Sequence, residues 1–310
     1  MKIFVTGGAG YIGSVLVPKL LDKKYEVTVL DNFLFNQKFI KSLHNFKNFT
    51  LIEDDVRNLD LLKKIVNNFD FILPLAALVG APLCDKSPAE AKKINQDSVD
   101  YLSNILKEDI GIILPTTNSG YGIGKKDVFC TEGSPLNPIS VYGLTKVEAE
   151  KSVMMRKNSI SLRLATVFGM SPRMRTDLLV NHFVYKAIKE KKIEIFEGNY
   201  KRNYVHIEDV ANVFLFCIDN FQRLKSNIFN FGIEGANFTK TELATKIKKY
   251  VPEFKFLKNE FTQDPDKRDY IVSNKKILDT GFQFQWNIDN GIEDLVKKMK
   301  ELPEGSYTNI

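Results

Sequence analysis

The sequence predicts an α/β protein, a doubly wound parallel sheet with helices on both faces and a smaller C-terminal α/β cap. Three observations predict it. An apolar run, Ile3-Phe4-Val5, stops at the glycine-rich turn Thr6-Gly7-Gly8-Ala9-Gly10-Tyr11-Ile12-Gly13. Strand-like runs then recur at residues 26–31, 49–54, 69–76, 111–117 and 159–168, separated by charged, helix-like segments such as 59–68 and 89–107; this alternation belongs to a parallel sheet. The runs are also almost continuously apolar, as strands buried on both faces are. With 310 residues and 44% hydrophobic content, the chain can build one large domain or two coupled ones.

The first strand leads into the glycine turn. Glycines suit this place because the turn is tight, the backbone approaches a pyrophosphate and the following helix packs closely on the strand, while amides at the helix N-terminus hold negative charge. Gly7, Gly10, Tyr11, Ile12 and Gly13 are therefore cofactor-binding candidates. Pro18 falls inside the helix that follows, where the missing N–H costs about 3 kcal/mol and predicts a kink. The second strand, Tyr25-Glu26-Val27-Thr28-Val29-Leu30, ends on Asp31. A carboxylate there accepts hydrogen bonds from both adenosine ribose hydroxyls and repels a 2′-phosphate, so the expected cofactor is NAD rather than NADP. Strand before, helix after and an acid about 20 residues on distinguish a Rossmann-type dinucleotide-binding unit from an isolated glycine turn.

After Gly169 the alternation loosens into Met170-Ser171-Pro172-Arg173-Met174-Arg175, a helix-like stretch at 178–191 and a strand-like one at 193–196. A helix at 209–220 and a strand at 227–231 are expected to return to the main sheet, and helices at 238–250 and 288–299 to complete the cap. The expected division is a cofactor domain over 1–168 with a returning segment at about 205–232, and a substrate cap over 169–204 and 233–310.

Composition excludes several function classes. The formal charge of +6 comes from scattered lysines, as in Lys63-Lys64, Lys92-Lys93, Lys191-Lys192 and Lys248-Lys249, whereas nucleic-acid binding gathers charge into a patch or stripe. No apolar stretch approaches the roughly 20 residues that span a bilayer, and no signal-like segment opens the chain, so a cytoplasmic protein is expected. Cys84, Cys130 and Cys217 lie far apart without metal-ligand spacing, which predicts neither a disulfide framework nor a metal. Cys84 and Cys130 are read as small buried thiols. His206 opens a helix in a His-x-x-Asp pattern and is read as structural.

The chemistry is carried by Tyr142-Gly143-Leu144-Thr145-Lys146, which places a phenol and an ammonium four residues apart on one helix face. A phenol of pKa near 10 is only about 0.1% ionised at pH 7, so phenolate costs roughly 4 kcal/mol unless positive charge lies nearby. Lys146 and the positive nicotinamide of NAD are the expected sources. A hydroxyl closes the preceding strand, in Pro115-Thr116-Thr117-Asn118-Ser119-Gly120-Tyr121-Gly122. Together with Asp31, Asp55-Val56, Leu75-Ala76-Ala77-Leu78 and Arg202-Asn203-Tyr204-Val205-His206, these motifs resemble the extended short-chain dehydrogenase/reductase superfamily, specifically its nucleotide-sugar epimerases and dehydratases, over nearly the whole chain.

That resemblance implies a set of roles. Thr117 bonds the reacting sugar hydroxyl, Tyr142 is the base and Lys146 holds the nicotinamide ribose. Asp55 meets the adenine amino group and Leu75, Ala76 and Ala77 line the cofactor, with Asn32, Val56 and Asn95 completing the cofactor set. Arg202 and Arg268 face the nucleotide diphosphate, for which guanidinium is suited by its forked donors. Val79, Asn118, Ser119, Arg173 and Asn181 complete the substrate set. The family habit implies a homodimer. Its 4,6-dehydratases place an acid, or an Asp-Glu pair, directly after the catalytic hydroxyl; Asn118 and Ser119 stand there, which disfavours dehydration.

Longer strings, from Leu75 to Cys84, Thr117 to Gly124, Phe168 to Arg175 and Asp264 to Tyr270, are similar to those of bacterial NAD-dependent GDP-manno-heptose 4-dehydrogenases of capsular polysaccharide pathways. The resemblance implies oxidation at C4 of a nucleotide-diphosphate sugar, GDP-heptose first. A nucleotide-sugar 4-epimerase like those acting on UDP-glucose is the alternative, and a non-catalytic NAD sensor or scaffold a second one.

Overall fold

In the computed structural model, which describes residues 1–37, 39–259, 268–303 and 307–309, the strand Lys2–Thr6 is buried on both faces. Ile3 and Val5 pack into one core and Phe4 into another. The strand Glu26–Asp31 does the same, with Val27 and Val29 in the first core and Leu30 in the second. Successive side chains point to opposite faces of a strand, so a run that is apolar at every position needs cover on both sides. Helices supply it. Leu16, Leu20 and Leu21 of the helix Gly13–Asp22 lie in the first core, and Leu62, Leu102, Ala149 and Val153 from three later helices in the second.

Seven parallel strands result, in the spatial order Asn227–Phe231, Ser159–Leu164, Gly111–Thr117, Phe71–Pro74, Lys2–Thr6, Glu26–Asp31, Phe49–Glu53. The chain steps outward from Lys2–Thr6 to Phe49–Glu53 and then returns to place Phe71–Pro74 on the other side of the first strand. Strand order reverses there, and the crevice beyond the C-terminal ends of the strands at such a reversal is where open α/β sheets bind ligands.

Several elements differ from the sequence expectation. The run 159–168 is two strands: Ser159–Leu164 stays in the main sheet, while Thr166–Phe168 pairs with Tyr204, Val205 and His206 in a second sheet. The break falls at Ala165, whose amide makes a last bond to the Phe231 carbonyl at 2.8 Å. The helical stretch 89–107 is interrupted by a π-helical turn, Lys93–Asp97, between Pro88–Lys92 and Ser98–Ile105. Pro18 is carried inside Gly13–Asp22 without ending that helix. The strand Lys201–His206, unmarked in the sequence, runs between Thr166–Phe168 and Asn237–Thr239. Two short parallel pairs, Lys192–Phe196 with Lys255–Asn259 and Phe129–Cys130 with Ile271–Val272, complete the sheets. The helix Lys240–Tyr250 begins in a capping box between Thr239 and Glu242.

Cys84, Cys130 and Cys217 are buried free thiols. Among the described residues no group of His, Cys, Asp and Glu side chains could hold a metal ion, and no helix is long and apolar enough to cross a membrane. Residues 264–267, part of the string from Asp264 to Tyr270, lie outside the described residues.

Candidate active site

The glycine turn sits at the strand reversal. Gly7 adopts φ +69°, and a Cβ on it would lie 2.5 Å from the Ala76 amide nitrogen, so only glycine lets this turn reach the Leu75-Ala76 segment. A Cβ on Gly13 would lie 2.4 Å from the Gly8 carbonyl oxygen, which keeps the helix start close against the turn. Gly7, Gly10, Tyr11, Ile12 and Gly13 all line one cleft. Gly10 presents bare backbone to it, since an added Cβ would meet only the Gly7 carbonyl oxygen, at 3.1 Å. Open helix N-terminus, bare backbone and the acid described next fit a dinucleotide pyrophosphate and its ribose.

Asp31 lines the same cleft and is 6% exposed. Its Oδ2 accepts the Ala9 amide at 3.0 Å and its Oδ1 the Phe33 amide at 2.9 Å. Burial raises its pKa and the two amide bonds oppose the rise. Asp55, Val56 and Asn32 lie further along. The Asp55 carboxylate is already saturated: Oδ1 accepts the Arg57 amide and Nε at 2.9 and 2.7 Å, and Oδ2 accepts Arg57 Nη2 and Asn32 Nδ2 at 2.8 and 2.7 Å. Arg57 first of all holds its pKa down at about 2. A carboxylate has about four acceptor sites, so an adenine amino group reaches Asp55 only by displacing one of these donors. The expected contact of Asp55 with adenine therefore involves an exchange with Arg57 or Asn32 at the cleft edge, where Asp55 lies.

Leu75, Ala76, Ala77 and Val79 form the opposite wall. Asn95 stands behind it. Its side chain accepts the Leu78 amide at 2.8 Å and donates to the Leu78 carbonyl at 2.9 Å, and it is fully buried in the π-helical turn. It shapes the wall without lining the cleft, a correction to its placement among cofactor contacts.

At the far end Thr117, Tyr142 and Lys146 come together. The helix Val141–Met154 begins where Ser140 Oγ accepts the Gly143 amide at 3.1 Å, and its first two turns present Tyr142 and Lys146 on one face. Burial pushes the Tyr142 phenol up to about 12; the Cys84 thiol adds to the rise, and Arg268, Arg175 and a hydrogen bond with Thr117 oppose it. Burial likewise pulls Lys146 down to about 8, with Glu150 and Cys84 acting the other way. Lys146 has therefore lost its proton at the pH where the isolated phenol titrates, and the arginines are the cations that bear on it there. At neutral pH Lys146 still carries its charge.

Thr117 Oγ1 lies 2.9 Å from Ser119 Oγ and accepts the Ser119 amide at 3.1 Å. Arg268 Nη1 donates to Ser119 Oγ, so a guanidinium, two hydroxyls and the phenol stand in sequence. Val79, Ser119, Arg173 and Arg268 line the cleft. Arg173 donates to Asn309 Oδ1 at 2.6 Å and lies 5.6 Å from the Phe35 ring centroid.

Three predicted substrate contacts do not line it. Asn181 is fully buried: it accepts the Gly169 amide at 3.0 Å and donates to Tyr11 Oη at 3.0 Å and the Arg175 carbonyl at 2.9 Å. Arg202 is 2% exposed, donates to its neighbour's carbonyl at 2.9 Å and lies 5.6 Å from the Tyr270 ring centroid; Tyr270 is the one that reaches the cleft. Asn118 is fully buried, and its amide has no partner among the described residues. Leu34, Phe35, Gln37, Tyr270 and Asn309 line the cleft without having been singled out. Phe35 follows Asp31 in the loop that closes the second strand, a position worth inspecting in any such unit; Asn309 carries no sequence signal.

Comparison with known proteins agrees with this geometry. Residues 3–232 match the family described as the NAD dependent epimerase/dehydratase family. A Bacillus subtilis protein described as an uncharacterized UDP-glucose epimerase is 33% identical over 227 residues, covering 67% of this chain and 70% of that one. A Methanocaldococcus jannaschii protein, provisionally named a UDP-glucose 4-epimerase, is 28% identical over 313 residues, 96% of this chain and 98% of its own. Among solved structures, the UDP-glucose 4-epimerase of Thermotoga maritima with UDP-glucose superposes with a TM-score of 0.84 at 26% identity, covering 97% of this chain and 99% of that one.

Proposed function

Because the chain belongs to the NAD-dependent epimerase/dehydratase family, we propose that it works at C4 of a nucleotide-diphosphate sugar as a 4-epimerase, oxidising the C4 hydroxyl to a ketone and reducing it again on the opposite face. The observation that carries this reading is the meeting of Thr117, Tyr142 and Lys146 in one cleft with the glycine turn, where Asn118 and Ser119, rather than an acid, follow the hydroxyl. Relatives named for UDP-glucose epimerisation support it.

The glycine turn, Asp31 and Lys146 would hold NAD, which would supply the acceptor and then the donor of the C4 hydride. Tyr142 Oη, as phenolate, receives the C4 hydroxyl proton as the C4–H bond breaks and returns it when the ketone is reduced, so Tyr142 is protonated only at the keto stage and ends each cycle as the phenolate it began as. Thr117 holds the sugar oxygen beside the phenol. Charge forming on Tyr142 is countered by Arg268 and Arg175 and, below about pH 8, by Lys146. The amides at the helix start hold the pyrophosphate and Asp31 the adenosine ribose. Arg173 and Arg268 offer forked donors to the sugar-nucleotide diphosphate, and segments 169–204 and 233–310 serve as its cap.

A second reading stops after the first half. The strings from Leu75 to Cys84, Thr117 to Gly124 and Phe168 to Arg175 favour a 4-dehydrogenase acting on GDP-manno-heptose, with the keto sugar released. The deciding experiment incubates purified protein and NAD with UDP-glucose, GDP-mannose and GDP-manno-heptose separately. It follows mass, reduced-nicotinamide absorbance and sugar NMR. Unchanged mass with a new C4 epimer establishes the 4-epimerase. Loss of two hydrogens with NADH accumulating establishes the 4-dehydrogenase and rejects the first reading. No change in any channel rejects both for these sugars.

A further inference from the structure

Glu150 is a buried carboxylate without a part in the reaction above. It lies one helical turn beyond Lys146 on Val141–Met154 and is 3% exposed. Its Oε2 accepts Ser161 Oγ at 2.6 Å and Thr116 Oγ1 at 3.0 Å, and its Oε1 accepts Arg163 Nη2 at 2.6 Å and Nε at 3.1 Å. Arg163, 4% exposed, extends Nη1 to the Tyr121 hydroxyl at 3.0 Å and the Glu132 carbonyl at 3.1 Å.

Two consequences go beyond anchoring a helix. Thr116 immediately precedes Thr117, so one carboxylate joins the strand end that carries the reacting hydroxyl to the helix that carries Tyr142 and Lys146. The i,i+4 spacing also sets Glu150 on the same helix face as Lys146, and its charge favours the ammonium that burial disfavours.

We propose that Glu150 is a positioning residue: clamped by Arg163, it fixes the Tyr142 helix against the strand ending in Thr117 and keeps Lys146 charged. The proposal rests on the roles given to Tyr142 and Lys146 above. The other charged and titratable groups near this helix have partners of their own: Asp85 accepts the Val141 amide at 3.4 Å, Lys151 pairs with Glu148, and Arg156 donates to the Ser103 and Leu106 carbonyls. Glu90 pairs with Arg57 and Lys93, Lys92 with Asp97, Asp100 with Ser152 and Gln96, and Tyr121 with Arg163 and Asn230. Cys84, from the helix Ala81–Lys86, is the one further group that bears on Lys146.

The test reads Lys146 directly, by NMR titration of the full chain labelled at lysine Cε, with the Lys146 signal identified by its loss in Lys146→Met. The native midpoint is expected at about 8. Glu150→Gln alone leaves Arg163 buried without its partner, so Glu150→Gln/Arg163→Gln, which removes both charges, is measured beside it. The expected result is a Lys146 midpoint lower by about one pH unit, with the alkaline loss of turnover moving down by the same amount. An unchanged midpoint in the folded double variant overturns the proposal and assigns Glu150 to stability alone. A lowered midpoint supports the proposed coupling; if that protein shows no C4 chemistry on any sugar nucleotide, the functional reading of the site is what fails.

Discussion

Asp31 Oδ2 accepts the amide of Ala9 at 3.0 Å, so the acid that ends the second strand also braces the glycine turn. Its other oxygen accepts the Phe33 amide. With about four acceptor sites on a carboxylate, each oxygen keeps capacity for one ribose hydroxyl. Replacing Asp31 by alanine removes the ribose contacts and the brace together. Hydrogen bonds to a charged group contribute about 1.5–3 kcal/mol, so Asp31→Ala is expected to weaken NAD roughly tenfold to hundredfold. Calorimetric titration with NAD measures this, and native affinity in the variant would refute the assignment.

Tyr142→Phe keeps the ring and removes only the hydroxyl beside Thr117. General acid–base catalysis contributes roughly 10²- to 10⁴-fold, and turnover should fall by at least that much. NAD affinity should stay within about twofold, since the wall and the glycine turn are untouched. Steady-state assays and a binding titration on one preparation separate the two effects.

Arg268 is the first of the cations that oppose the rise in Tyr142 pKa. Phenolate becomes more abundant as pH rises, so a higher Tyr142 pKa moves the acid limb of the rate profile toward higher pH. Arg268→Gln should show this displacement together with a slower rate at pH 7. A substrate-binding role alone would raise KM and leave the limb where it is, which a pH series of kcat distinguishes.

The parallel sheet, the glycine turn, Asp31 and the Tyr142–Lys146 pair were legible in the sequence because each depends on apolar patterning, backbone conformation or spacing within an element. Direction was not legible. Asn95, Asn118, Asn181 and Arg202 have residue types suited to ligands, yet they are buried behind the cleft surface, because a side chain's facing depends on how its element packs against others. The saturation of Asp55 by Arg57 and Asn32 is equally a tertiary fact. The break at Ala165 follows from two sheets competing for one apolar run, a choice made by Phe231 and Tyr204 far along the chain.

Asn181 tests that distinction. Its amide joins Gly169, Tyr11 and Arg175, and Asn181→Leu takes this partner from the Gly169 amide and the Arg175 carbonyl, at about 1–3 kcal/mol for a buried group left unsatisfied, while the Tyr11 hydroxyl still donates to the Gly169 carbonyl. The expected outcome is a markedly lower melting temperature with KM for the sugar nucleotide unchanged in the folded fraction. A raised KM at native stability would restore Asn181 to the substrate site.

His206 sets an acid limit on stability. Its Nδ1 accepts the Glu208 amide at 3.4 Å at the start of the helix Ile207–Asp219, and its ring stacks on Trp286 at 4.0 Å between centroids. Burial pulls its pKa down to about 4, below the ordinary 6.5 of the unfolded chain. Between those values the unfolded state binds the extra proton, so this contribution is intact above pH 6.5 and is lost as pH falls toward 4. Each pH unit is about 1.4 kcal/mol, which makes the cost at pH 5 roughly 2 kcal/mol and the drop in melting temperature about 3 °C for a chain of 310 residues. His206→Asn retains a helix-capping side chain without the titrating group. Its melting temperature should start lower at pH 7, because the stack on Trp286 is gone, and should fall less steeply between pH 7 and 5 than that of the native chain. Parallel slopes in a thermal melting series would place the acid sensitivity elsewhere.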